Sequence, residues 1–236
     1  MHRILDILTL FFYILTSWRF SKKKTIEQFE NNKAEWDKLT SGKNDIIHKG
    51  FIEKQYLMTN FLYGTNAKLA RKLFFDGRDI TAADNSCEVI AVYNAIHDLN
   101  IRSDVKDNIT FPELLKEFSG HGISARGVFG TSPGALKRYF VREGYKVKSL
   151  SPVKVTERAV KKLSNDYDTF IFTTYNVRYN PARMIHTMCI TYDRGKYRIH
   201  NDYAGGKTYK SLYAAVTGYK DGVGHPFYVL GIKKDR

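Results

Sequence analysis

A chain of 236 residues with 43% hydrophobic and 14% aromatic content carries enough apolar surface for one sizeable core, which excludes a disordered chain. Thirty-eight Lys and Arg against 24 Asp and Glu give a formal charge of +14, so acidic partners are favoured. The basic residues are nevertheless dispersed, and no helix-turn-helix, zinc-finger or RNP-like pattern marks a specific nucleic-acid site. Two cysteines, Cys87 and Cys189, exclude a disulfide scaffold and lack metal-ligand spacing; a reducing compartment fits, and the reading below implies no metal or organic cofactor.

Ile4 to Trp18 is apolar apart from Asp6 and a few hydroxyls, and Arg19-Phe-Ser-Lys-Lys-Lys24 follows as the densest basic run. The apolar stretch is shorter than the ~20 residues of a bilayer-spanning helix, and no small-x-small cleavage site follows it. Four placements fit: a helix docked on the domain or on a partner, a membrane-surface anchor formed by residues 4–24, an uncleaved export signal, or an irregular arm. Thr25 to Leu39 then reads as a polar helix with Ile26, Phe29, Trp36 and Leu39 as its apolar positions. A second amphipathic stretch covers Glu53 to Phe75. The expected division is an apolar segment with its basic run (1–24), a helical extension (25–75) and a main domain (76–236).

Asp84-Asn-Ser-Cys87 opens a strong helix. Val89, Val92, Tyr93, Ile96 and Leu99 supply its apolar face, and Asp84, Asn85 and Ser86 are all acceptable N-caps. Helices are predicted over Phe111–Phe118, Pro133–Glu143 and Thr156–Leu163, with a strand over Tyr145–Leu150. From Phe170 the period changes to two, giving strands at Phe170–Tyr175, Met184–Tyr192, Lys196–His200 and Phe227–Ile232. Helices first and antiparallel strands second make an α+β arrangement.

A cysteine in the first turn of a helix meets unpaired backbone N–H groups and the positive end of the macrodipole. Both favour thiolate and can face a developing oxyanion. His186 interrupts an apolar β run about a hundred residues later and is the candidate base, with His200 as its rival. A histidine base needs an acceptor at its second nitrogen. With Arg194-Gly195 as a two-residue turn, Asp193 pairs with Lys196 and Asn201 lies on the His186 side. A three-residue loop would place Asp202 opposite His186 instead. The segment Tyr175 to Arg183, rich in Tyr, Asn and Arg, is either a cleft border or an ordinary surface loop.

Asn85-Ser-Cys-Glu-Val-Ile-Ala-Val-Tyr-Asn-Ala95, followed by Ile185-His-Thr-Met-Cys-Ile-Thr-Tyr-Asp-Arg-Gly-Lys-Tyr-Arg-Ile-His-Asn201, resembles the papain-like cysteine peptidases over about residues 80–232. The nearest branch is the bacterial bacteriocin-leader peptidase type. The resemblance implies a papain-like α+β fold, its central helix carrying Cys87 and packed on an antiparallel sheet. It implies Cys87 as nucleophile, His186 as base and Asn201 as third residue, with a peptide or protein substrate. It also implies a bacterial origin, with a cytoplasmic or membrane-associated location, or an exported one. An acyltransferase with the same triad and an inactive papain-like binding module are the alternatives. The glutamine that usually precedes the cysteine is absent from Asp79–Asp84, leaving Asn85 either as its oxyanion-hole replacement or as a helix cap. Glu88 stands where a small residue is common, and its charge beside a thiolate would disfavour ionisation.

Overall fold

The computed structural model describes residues 2–64, 68–104, 106–175, 185–202, 207–219 and 225–234. In chain order it runs α1 (His2–Leu15), β1 (Ser17–Trp18), α2 (Lys22–Ser41), β2 (Ile47–His48), β3 (Phe51–Ile52), α3 (Lys68–Phe74), α4 (Ala82–Asn85), α5 (Cys87–Ile101), α6 (Phe111–Gly120) and β4 (Ile123–Ser124). There follow α7 (Pro133–Arg142), β5 (Lys146–Leu150), α8 (Glu157–Asp166), β6 (Thr169–Tyr175), β7 (Ile185–Asp193), β8 (Lys196–His200), β9 (Thr208–Tyr209), α9 (Leu212–Thr217) and β10 (Tyr228–Lys233). The fold is mixed α+β with antiparallel pairing.

Its centre is a six-stranded sheet in the order β5-β10-β6-β7-β8-β9. One face packs against α5, with Ile171, Cys189, Leu230 and Ile232 meeting Val92, Ile96 and Leu99. The other face is covered by α8 and α9, with Phe172, Met188 and Ile190 meeting Val160, Leu163 and Val216. The alternation along β7 is therefore unambiguous: odd-numbered residues look toward α5 and even-numbered ones toward α8 and α9. Arg194 and Gly195, at φ +47° and +81°, form the two-residue turn of the β7–β8 hairpin, with Asp193 opposite Lys196 and Cys189 opposite His200.

The helices start where side chains can replace missing backbone partners. Ser21 caps α2 through Lys24 N–H at 3.3 Å, and Thr110 with Glu113 forms a capping box on α6. Two expected elements differ. The inward stripe of α2 is Gln28, Asn32 and Trp36, while Ile26 faces solvent. Gln28 donates to Gly64 O, and Asn32 donates to Leu62 O while accepting from Leu62 N–H. These polar grips bind an extended segment, so the stretch from Glu53 to Phe75 is not one amphipathic helix. It holds a short 3-10 turn, Gln55–Leu57, an irregular run over residues 58–64, and the separate α3.

Candidate active site

Cys87 opens α5 and is buried. Ser86 sits at the N-cap position, but its hydroxyl donates backward to Ala82 O at 2.7 Å, so it does not cap α5 and the first-turn N–H groups remain directed at the thiol region. Burial pushes the Cys87 thiol well up, and the neighbouring Glu88 carboxylate adds to this. The backbone N–H groups of Thr187 and Glu88 act the other way. The sulfur thus rests between the helix start and the backbone of β7, one residue beyond His186.

Glu88 is itself fully enclosed, and burial raises its carboxyl from 4.5 to about 7. It accepts from Thr131 N–H at 3.4 Å and from the Thr187 hydroxyl at 3.5 Å, and the Thr187 and Thr173 hydroxyls are hydrogen-bonded to each other at 3.1 Å. Gly130, at φ +72°, passes so close that a Cβ there would stand 2.6 Å from Glu88 Oε2. Two phenols complete the pocket. Tyr63 bonds Thr131, and Tyr13 reaches in from α1; burial raises both hydroxyls, and the charges of Glu88 and Cys87 raise them further. Thr9, one helical turn before Tyr13, bonds Tyr175 at 2.6 Å.

His186 follows the even-numbered side of β7, the face of Met188 and Ile190, whereas Thr187 holds the face toward Cys87. Its Nε2 lies 2.7 Å from the main-chain oxygen of Asn201. A carbonyl only accepts, so Nε2 carries the proton and Nδ1 the lone pair. Burial lowers this imidazole from 6.5 to about 4, against the opposing effect of that bond, so the ring is neutral near pH 7. Asn201 sits at φ +60°, and this left-handed turn sends its side chain elsewhere: Oδ1 accepts from Gln55 N–H at 3.1 Å and Nδ2 donates to Gln55 Oε1 at 2.9 Å. The expected side-chain contact is thus replaced by a main-chain one. Asp202, the alternative third residue, follows it and is buried.

The chain shows no family-model match, and no curated protein matches it. Among solved structures it is similar to an N-acetylmuramoyl-L-alanine amidase from Bacteroides uniformis, at 14% identity over 66% of this chain and 87% of that chain, with a TM-score of 0.31. A score that low supports neither a shared fold nor a shared activity.

Asn85, expected either as an oxyanion-hole donor or as a helix cap, is buried at the end of α4. Its amide NH₂ donates to the carbonyl of Gly127, and Gly64 passes close to the same nitrogen. The rival histidine, His200, is engaged at both nitrogens, with Nδ1 2.8 Å from Glu53 and Nε2 2.9 Å from Thr191, and its ring stacks on Phe51. These are the contacts of a satisfied structural histidine. Cys189 lies on the α5 face of β7, where burial pushes its thiol up. Among the described residues no group of three or more His, Cys, Asp or Glu could hold a metal ion. Residues 176–183, read above as a cleft border or a surface loop, lie outside the described residues.

The residues that sequence reasoning did not place are Tyr13, Gln55, Tyr63, Thr131 and Thr187. Thr187 alone had a readable signal, since period two sets it on the same side as Cys189. Gln55 donates to Ala82 O at 3.0 Å, joining Asn201 to α4 across stretches far apart in sequence, and no local spacing encodes that.

Proposed function

We propose that this chain is a thiol-dependent amide hydrolase of the papain-like kind, a cysteine peptidase with Cys87 as nucleophile and His186 as general base and acid. The observation that supports the reading most is the 2.7 Å contact from His186 Nε2 to Asn201 O, which fixes the tautomer that leaves Nδ1 as proton acceptor. Asn201 serves here through its backbone.

In the proposed reaction the Cys87 S–H proton passes to His186 Nδ1 as sulfur bonds to the amide carbon. The oxyanion faces the N–H groups at the start of α5. The C–N bond then breaks, the departing amine takes the proton from His186, and an acyl-cysteine remains. Water attacks this thioester, giving its proton to His186, and the carboxylic product leaves as the thiol is restored. The described arrangement is a closed one. Attack requires more than a side-chain rotation: His186 lies on the α8–α9 face of β7, so the first residues of that strand must twist to bring the ring to the α5 face beside Cys87.

Glu88 favours a second reading of the base. Its carboxyl touches the thiol's surroundings directly, and a value of about 7 suits proton transfer near neutral pH. Hydrolysis of an internally quenched peptide mixture and of p-nitrophenyl acetate, by wild type and by Cys87→Ala, His186→Ala and Glu88→Gln, separates the readings. The proposal expects Cys87→Ala to abolish turnover, His186→Ala to lower it by about 100-fold or more, and Glu88→Gln to retain most of it. The opposite ranking of the last two makes Glu88 the base. No turnover by folded wild type, with Cys87 inert to iodoacetamide, leaves a papain-like binding module.

A further inference from the structure

The helix α1 is amphipathic in the inverse sense. Its inward face carries Asp6, Thr9 and Tyr13, all buried, whereas Ile4, Leu8, Phe11 and Leu15 form an outward stripe, 57–66% exposed. These two sets lie on opposite sides of the helical wheel. Surface helices ordinarily bury the apolar stripe, and a contiguous exposed one marks a binding surface. The patch extends beyond α1: Phe12 meets Phe129 edge-on at 5.5 Å, and Phe129 meets the partly exposed Phe74 at 6.1 Å.

We infer that this face docks α1 in the plane of an anionic lipid bilayer surface. Three features select that occupant. First, the only carboxylate of α1, Asp6, points inward toward His225, so no acidic side chain of the helix faces outward. Secondly, basic side chains border the patch: Arg19, Lys22 and Lys23 follow α1 directly and are exposed, and Lys72 adjoins Leu73 and Phe74. Thirdly, Trp18 lies half exposed at the join between apolar stripe and basic run, with the Arg126 guanidinium 5.2 Å over its ring, the side-chain pairing suited to a headgroup layer. A second copy of the chain would need acidic groups to meet this basic border, and α1 presents none outward. The helix has 14 residues, and no described helix is long and apolar enough to cross a membrane. Held from within by Thr9 and Tyr13, it lies on the bilayer and does not span it.

The test is co-sedimentation of the full chain with phosphatidylcholine vesicles, with and without phosphatidylglycerol, at low and at physiological salt, alongside size-exclusion chromatography with light scattering. The expected result is binding that requires phosphatidylglycerol and weakens with salt. The double variant Lys22→Glu/Lys23→Glu should weaken it by about tenfold or more, since each lysine near an anionic surface contributes about fivefold to binding. Leu8→Asp/Phe11→Asp should weaken it by at least about tenfold through lost apolar insertion. All four positions are exposed, so the thermal transition should stay unchanged. Vesicle binding unaffected by both double variants overturns the inference. So does a wild-type dimer that Leu8→Asp/Phe11→Asp converts to monomer without any vesicle binding, because the occupant would then be a second copy. Neither readout depends on Cys87 chemistry.

Discussion

Glu88→Gln should uncover an acid sensitivity that the wild type conceals. Burial raises the Glu88 carboxyl from 4.5 to about 7, so the folded protein keeps a proton that the unfolded chain releases. The stability from this group is complete below the unfolded value and is lost as pH rises through about 7. Integrated from about pH 5 to about pH 7.5, that loss is roughly 2 kcal/mol. His186 runs the other way. Its folded value is lowered from 6.5 to about 4, so the unfolded chain takes up a proton first. Its contribution is complete above 6.5 and is lost as pH falls toward 4, again by roughly 2 kcal/mol between about pH 7.5 and about pH 5.

The two contributions nearly cancel in the wild type over this interval. Glu88→Gln removes one and keeps the isosteric hydrogen-bonding body in place, so only the histidine slope remains. Urea unfolding of both proteins at about pH 5 and about pH 7.5 measures the difference. The variant should gain roughly 2 kcal/mol relative to wild type between the lower and the higher pH, seen as a shift of the midpoint with unchanged slope. Comparison with wild type removes the background of the other carboxylates. A stability difference that is the same at both pH values would refute the reasoning, because Glu88 would then titrate alike in the folded and unfolded chains.

Tyr13→Ala, by uncovering the site, should speed iodoacetamide labelling of Cys87 by about tenfold or more while leaving Cys189 unchanged; mass spectrometry of the two cysteine peptides reads this, and equal acceleration of both would indicate general loosening. Gly130→Ala should destabilise by about 2–4 kcal/mol in chemical unfolding, because the backbone is left-handed at φ +72° and the new Cβ would stand 2.5 Å from Asn85 O and 2.6 Å from Glu88 Oε2. Asn201→Gly should retain most of any turnover, since glycine adopts φ +60° freely and keeps the carbonyl that holds His186, whereas loss of turnover as deep as in His186→Ala would return the role to the side chain.

The start of α5 was legible from the apolar helical stripe that follows Cys87, and the β7–β8 register was narrowed to two turns, of which the two-residue Arg194-Gly195 turn is the one found. That register put Asn201 next to the His186 strand. The contact itself was not legible, because strand alternation assumes extended backbone and Asn201 leaves it at φ +60°. Its side chain thereby turns to Gln55, and Gln55 was hidden in a stretch whose apolar spacing reads as a helix. That stretch makes only one 3-10 turn at its start, and farther on Gln28 and Asn32 bind the backbone of Leu62 and Gly64 in place of helical partners. The role of α1 was hidden for a related reason. Asp6, Thr9 and Tyr13 look like interruptions of an apolar run, yet they are the residues that face the protein.

Asp6, Thr9 and Tyr13 also connect two features that sequence reading treats separately. Tyr13, whose buried hydroxyl is raised further by the charges of Glu88 and Cys87, belongs to the helix that Thr9, one turn earlier, ties to Tyr175 at the end of β6. The strand next to β6 is β7, which carries His186 and presents Thr187 to the thiol. Displacing α1 would therefore do two things at once: it would uncover the sulfur and release the end of β6 that borders the first residues of β7. If α1 docks on lipid as inferred above, it is balanced between that outer contact and the polar inner one that holds it to the protein. The inner contact is polar and small, a hydroxyl pair and a buried phenol, while the outer face has no protein partner among the described residues. Access to Cys87 should then follow the position of α1 more closely than it follows the acidity of the thiol itself.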